Sequence, residues 1–406
     1  MIQSFAMRVE KHVSEEHLAE RARPEDDLLI CIARRTLDVP GETLLCRLLG
    51  RDLDWDYLLA TADRHSLIPL LHYHLSSIDS RAVPPAVMAR LEEMNRENTR
   101  FNLFLTGELL KLMTLLQDHR IEAIPFKGPT LALFAFGDIG LRQFGDLDIL
   151  IKRQDFLTVR DLLVANGFTP RPAFYSAQQA ALLRFDCSHN FANAKDVWVD
   201  VHWNIVAPYY SVKIRADRLW DHLQPVTLNG RQLLTLSSED LLLILCLHGF
   251  THLWERLGWI CDVASLIESE KNIDWQLLLQ NATRLGSGRI LSLGLHLASE
   301  LLDAPVPPEV FQTVPADAEV KMLVAQVQQQ LFGARTRPAG IFNEVSLHLK
   351  MRERTRDKIT ACLRLVTTPR SNDWKSFSLP DSLFFVYYPL RPIRLAAKFA
   401  AGLIRG

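Results

Sequence analysis

The sequence has no apolar run long enough to cross a bilayer: the longest, Leu241 to Leu247, covers seven residues, against the roughly 20 a spanning helix needs. Its opening, MIQSFAMRVEKHVSEEHLAERARPEDD, is charged and lacks the apolar centre of a signal peptide. Cysteine is sparse: Cys31, Cys46, Cys187, Cys246, Cys261 and Cys362 lie far apart with no C-x-x-C pair. That pattern argues against a disulfide framework and for reduced thiols in the cytoplasm. Neither charge sign dominates, with 46 basic against 47 acidic side chains and a formal charge of -1. Nothing global therefore calls for a polyanion or membrane partner, and no basic stripe with interleaved aromatics marks a nucleic-acid binder. A P-loop is missing, Asp221-His222 reverses the order of a His-Asp phosphohydrolase pair, and there is no internal repeat or low-complexity tract.

What is present is ordinary globular composition, 48% hydrophobic and 23% charged over 406 residues, enough for two or three domains. Residues 1–26 read as a polar lead-in. From 27 to 118 apolar residues recur at three and four, as in Trp55, Leu58, Leu59 and Ala62, so this part is expected to be helical. Between 119 and 236 short β-branched runs alternate with turn signals. Expected there are strands at 121–126 and 146–152, helices at 130–136 and 154–166, a hairpin of 184–192 with 196–203, and a second hairpin at Asn229-Gly230. Ser237, with Asp240 three residues on, loosely resembles a capping box and opens a helical region that runs to 335. The last segment, 336–406, holds a loop at 367–382 and a basic amphipathic tail, Arg391 to Gly406, whose apolar side is expected to dock on the body of the protein. The fold class is α+β, a small mixed sheet flanked by helical regions that wall a cleft.

The chemistry concentrates in Gly145-Asp146-Leu147-Asp148-Ile149-Leu150-Ile151. In a strand, Asp146 and Asp148 project to one face while Leu147, Ile149 and Ile151 enter the core. At an effective dielectric near 20, two such charges about 4 Å apart repel by roughly 4 kcal/mol, so the pair wants a cation. Val197 to Asn204 also alternates, with Val197, Val199, Val201 and Trp203 on one face and Trp198, Asp200, His202 and Asn204 on the other. Asp146, Asp148 and Asp200 together form an oxygen-rich ligand set suited to Mg2+ or Mn2+ with phosphates completing the shell. Upstream, Lys127-Gly128 stands at a strand end entering a helix, where the glycine admits a phosphate, the helix N-terminus favours it and the lysine neutralises it.

The segment Phe126-Lys127-Gly128 with Gly140-Leu141-Arg142-Gln143-Phe144-Gly145-Asp146-Leu147-Asp148-Ile149-Leu150-Ile151 resembles the uncharacterised nucleotidyltransferase family of the DNA polymerase β-like superfamily. His248 to Ala264 looks like the same family's helical signature, and Trp55 to Leu75 does so less strongly, so the similarity is expected to span about 44–400. The resemblance implies Gly128 beside a triphosphate, Asp146 and Asp148 holding the metals and Asp200 as third ligand. Pro129 departs from the superfamily's Gly or Ser.

Arg142 reads either as a phosphate contact or as a local salt bridge to Asp138 or Asp146. His202 reads as a hydrogen-bond partner behind the ligands or a simple surface histidine rather than as a ligand itself, and is carried as a candidate for the substrate cleft. His248, His252, Glu255, Trp259 and Asp262 fall on one helical stripe, with His248, His252 and Trp259 as candidates to line the substrate cleft. The expected function is Mg-dependent transfer of a nucleoside monophosphate from an NTP to a small-molecule or protein acceptor, with release of diphosphate. The alternative is a non-catalytic nucleotide-binding or regulatory protein, antitoxin-like or a biosynthetic-cluster partner, on the same fold.

Overall fold

The computed structural model describes residues 23–78, 82–173, 176–212, 214–314, 317–333, 341–369, 373 and 379–404. It is α+β. The N-terminal helices are α1 (Pro24–Ile32), α2 (Val39–Leu49), α3 (Trp55–Arg64), α4 (Ile68–Ser77) and the long α5 (Pro85–Asp118). Asp38 and Asp54 cap α2 and α3 by accepting the backbone N–H of Gly41 and Tyr57, as short polar side chains do at helix starts. The expected lead-in of 1–26 lies outside the described residues up to 22, and its last residues already belong to α1, with Glu25 and Asp26 buried.

The sheet follows: β1 (Ala123–Pro125), α6 (Gly128–Phe136), β2 (Leu147–Ile151), α7 (Phe156–Ala165), β3 (Phe168–Arg171), α8 (Ser176–Phe185), β4 (Ser188–Asn193) and β5 (Trp198–His202). Strand order is β1-β2-β5-β4-β3, with β2 and β5 parallel and the other neighbours antiparallel. The strand expected from 184 starts only at Ser188, because Ala181 and Leu182 bury a helical face that carries α8 through Phe185. On one face, Leu147, Ile149, Ile151, Val199 and Val201 form a core with Leu105, Leu109 and Leu116 of α5 and Phe156, Val159 and Leu163 of α7. Each such side chain contributes about 1.5–3 kcal/mol when fully buried. The same alternation turns Asp148, Asp200 and His202 to the opposite face.

A two-stranded ribbon, β6 (Leu223–Leu228) and β7 (Arg231–Leu236), closes at Asn229 and Gly230, both at positive φ (48° and 76°), the geometry a two-residue hairpin demands. Then come α9 (Ser238–Thr251), α10 (Leu257–Ser269), α11 (Trp275–Leu285), α12 (Gly288–Leu302), α13 (Pro308–Thr313), α14 (Ala318–Phe332), α15 (Ile341–Lys350), α16 (Thr355–Thr367) and α17 (Tyr387–Ile404). Of the loop expected at 367–382, residues 370–372 and 374–378 lie outside the described residues, and α16 ends at Thr367. Within the tail, Arg391 and Arg394 reach Asp373, so these two guanidiniums turn toward the protein. No helix among the described residues is long and apolar enough to cross a membrane.

The cap of α9 contains a measurable charge. Ser237 Oγ accepts the Asp240 N–H at 3.3 Å, while burial, more than nearby Glu239, pushes the Asp240 carboxyl up to about 6 against His222 and Arg284. Folding thus favours the protonated acid. That contribution is full below about pH 4 and lost as the pH rises through 6. Asp240→Asn is therefore expected to be more stable than the parent by about 2 kcal/mol above pH 6.5, a gap that closes by pH 4 in urea unfolding curves.

Candidate active site

Parallel pairing of β2 with β5 sets Asp148 directly opposite Asp200. Neither strand specifies this alone: a one-residue slip would send one acid into the apolar face. Asp146 stands one residue before β2, and Gly128 opens α6 beneath it at φ +53°, where an added Cβ would come within 3.1 Å of the Asp146 carbonyl oxygen. Only glycine takes that conformation without strain. Gly128→Ala is expected to lower stability by about 1–2 kcal/mol, read by chemical denaturation. Pro129 follows inside the first turn, where a missing N–H is tolerated because the first turn has no intrahelical acceptor for it.

The acids share little space and much charge. Asp148 is buried, and its Oδ1 lies 3.3 Å from Lys127 Nζ and 3.1 Å from His202 Nε2. His202 Nε2 lies equally 3.1 Å from Asp200 Oδ2, which also accepts from Ser188 Oγ at 3.2 Å. Burial alone would raise the Asp148 carboxyl, but Lys127 and then His202 hold it well below the usual range. Burial would likewise lower the His202 imidazole, which Asp200 and the bond to Asp148 instead hold well above its ordinary value. Asp146, an exposed residue, goes the other way: chiefly repulsion from Asp148 pushes it up to about 6. Asp146 and Asp148 therefore titrate as neighbours, not as independent groups.

Around them opens a cleft of about 640 Å³, a size that accommodates a nucleotide-scale ligand. Arg142 enters it from the loop between α6 and β2. Its Nε and Nη2 donate to Asp262 Oδ1 and Oδ2 at 2.7 and 2.9 Å, leaving Nη1 buried with no partner among the described residues. The loop itself is tied down from below, where buried Asn102 of α5 donates to the carbonyls of Ile139 and Arg142, both at 2.7 Å. Opposite, Lys127 Nζ lies 3.3 Å from His248 Nδ1. The rings of His248, His252 and Trp259 stand together, with centroids 4.5–5.2 Å apart. Desolvation, then Lys127, holds the His248 imidazole well below its ordinary value and lowers that of the more exposed His252 less.

The single helical stripe expected from His248 to Asp262 is not what forms. Helix α9 stops at Thr251, Leu253 and Trp254 take positive φ (55° and 53°), and the Trp254 N–H donates back to the Gly249 carbonyl at 2.8 Å. The cause is packing: the buried Trp254 ring folds onto Gly249, where any Cβ would approach it within 2.5 Å. The turn still delivers His248, His252 and Trp259 to one wall, while Asp262 on α10 faces Arg142 across the cleft. Arg142 therefore pairs neither with Asp138 nor with Asp146.

Every residue singled out from the sequence borders this cleft: Lys127, Gly128, Arg142, Asp146, Asp148, Asp200, His202, His248, His252 and Trp259. The groupings differ from expectation. Lys127 points at Asp148, and the ligand atoms that converge within 4.8 Å of one another belong to Asp148, Asp200 and His202, with Asp146 outside that group. Asn102, Ser188 and the Asp262 partnership went unread, since their partners lie from 12 to 120 residues away and leave no local signal. These donors fit a divalent cation: two carboxylates and an imidazole converge, and Asp200 Oδ1 is buried without a hydrogen-bond partner among the described residues.

No curated protein matches the chain. Among solved structures, an antigenic nucleotidyltransferase-like protein from Paracoccidioides brasiliensis aligns at 18% identity over 51% of this chain and 96% of that one, with a TM-score of 0.32. The sequence model of the uncharacterised nucleotidyltransferase family matches residues 51–303, a narrower span than the 44–400 expected from the motifs. With well over half of its length so matched, the chain belongs to the uncharacterised nucleotidyltransferase family.

Proposed function

We propose that the chain transfers a nucleoside monophosphate from an NTP to an acceptor hydroxyl or phosphate. The acceptor oxygen bonds to the α-phosphorus, the bond from that phosphorus to the bridging oxygen breaks, and diphosphate leaves. The observation that carries this reading is the Asp148–Asp200 register beside the Lys127-Gly128 helix start. A divalent cation held there, Mg2+ or Mn2+, supplies charge neutralisation for the phosphates and a lowered pKa for the attacking hydroxyl. Asp146, Asp148 and Asp200 are the proposed carboxylate ligands, and Asp200 is the group that takes the acceptor's proton.

Lys127, Gly128 and Arg142 are assigned to the phosphates. The unpartnered Arg142 Nη1 supports this, because a buried guanidinium N–H without an acceptor costs about 1–3 kcal/mol unless a ligand supplies one. His248, His252 and Trp259 are assigned to the acceptor side. The test is a screen of the purified chain with labelled NTPs and either metal against cell extract, expecting transfer or diphosphate release that the Asp146→Asn, Asp148→Asn double variant lacks. Release that persists in that variant sinks the mechanism; nucleotide binding without turnover in the parent supports the non-catalytic alternative.

A further inference from the structure

Three atoms able to ligate a metal meet on the cleft floor. Asp148 Oδ1 and Asp200 Oδ2 each lie 3.1 Å from His202 Nε2, and one ligand atom from each residue falls within 4.8 Å of the others. When Nε2 carries no proton, two carboxylate oxygens and a ring-nitrogen lone pair repel at such distances, and a cation placed among them turns that repulsion into attraction. A proton on Nε2 can do so, but an N–H points along one line and meets two oxygens only as a forked bond. A cation at the common point satisfies all three.

The ring is held for that task. His202 Nδ1 lies 3.4 Å from the Asn204 carbonyl, the kind of outward contact by which metal-binding imidazoles fix the tautomer that frees the other nitrogen. Phe126 packs edge-on against the ring at 5.2 Å. Strand alternation puts Asp200 and His202 on one face of β5, and the β2–β5 register brings Asp148 to them.

We propose that His202 is a direct ligand of the cation, with Asp148 and Asp200, and that its nitrogen makes the site select a first-row transition ion such as Mn2+ over Mg2+. This rests on the transfer reading only in placing a cation at these carboxylates. Mg2+ favours oxygen donors and gives up water reluctantly, whereas an imidazole donor strengthens binding along the transition series.

The experiment uses the metal-stripped full chain and Mn2+ alone as probe. Electron spin-echo modulation of the Mn2+-loaded parent is expected to carry an imidazole nitrogen coupling, absent in His202→Gln. Titration is expected to show Mn2+ affinity about 10-fold or more weaker in that variant, with Mg2+ affinity, read by competition, nearly unchanged. Bound Mn2+ without nitrogen coupling, no Mn2+ binding, or equal weakening for both ions would overturn the proposal. The coupling is read on the unsubstituted chain, so a variant that fails to fold does not obscure it. Nitrogen coupling with no NTP turnover would keep this inference and remove the transfer reading; turnover without coupling would do the reverse.

Discussion

Asp148→Asn is expected to cut diphosphate release about 10³-fold or more, the scale on which removal of a focused charge-stabilising group acts. Asp148 is the junction of the site, meeting Lys127 on one side and His202 on the other at 3.3 and 3.1 Å. Replacing its carboxylate with an amide keeps the shape and removes the charge. Two consequences for stability oppose each other. The half-buried Lys127 and the buried His202 lose their shared counter-charge, which is destabilising, while Asp146, pushed up to about 6 mainly by Asp148, loses that repulsion and returns toward an ordinary carboxyl. Net unfolding free energy is therefore expected to move less than the loss of a buried ion pair would suggest, while turnover collapses. Labelled-NTP turnover beside urea unfolding separates the two. Release within tenfold of the parent in a variant that no longer binds Mn2+ would show that the carboxylate does not serve the chemistry.

Asp262→Ala is expected to destabilise the chain by about 3–5 kcal/mol, the scale for stranding one member of a buried pair. The Arg142 and Asp262 side chains are only 13% and 5% exposed, and their two bonds are parallel and short. Removal of the acid leaves a guanidinium that already has one nitrogen without a partner, in a loop whose carbonyls Asn102 holds in place, so the charge has nowhere to relax. The double variant Asp262→Leu with Arg142→Met is expected to recover most of the loss, because it removes both charges and keeps volume. Urea unfolding of the four members of the cycle measures the coupling. Additive losses would mean that the pair ties the loop to α10 only weakly.

Much of the frame was legible from local pattern. The Asn229-Gly230 turn, the Ser237 cap, the alternation of Val197 to Asn204 and the Asp-x-Asp strand are each specified within a few residues, since capping, φ > 0 and side-chain direction are local properties. What failed was periodicity carried too far. From His248 to Asp262 the spacing fits one helix, and the break at Leu253 and Trp254 comes from a tryptophan seeking the space beside Gly249. That space exists only once α12 brings Gly294 against Cys246 and Trp254.

The sequence by itself determined the α+β class, the two strands that carry Asp148, Asp200 and His202, with Asp146 just before the first of them, and the face on which the strand residues project. The tertiary structure decided which of these groups meet. Parallel register set Asp148 against Asp200, packing brought Lys127 and His202 within hydrogen-bond reach of them, and α10 gave Arg142 a partner 120 residues away. The physical reason is range: a strand's alternation is fixed by its own backbone, whereas a charge at low dielectric answers to whatever packing brings within a few ångströms, however distant in the chain.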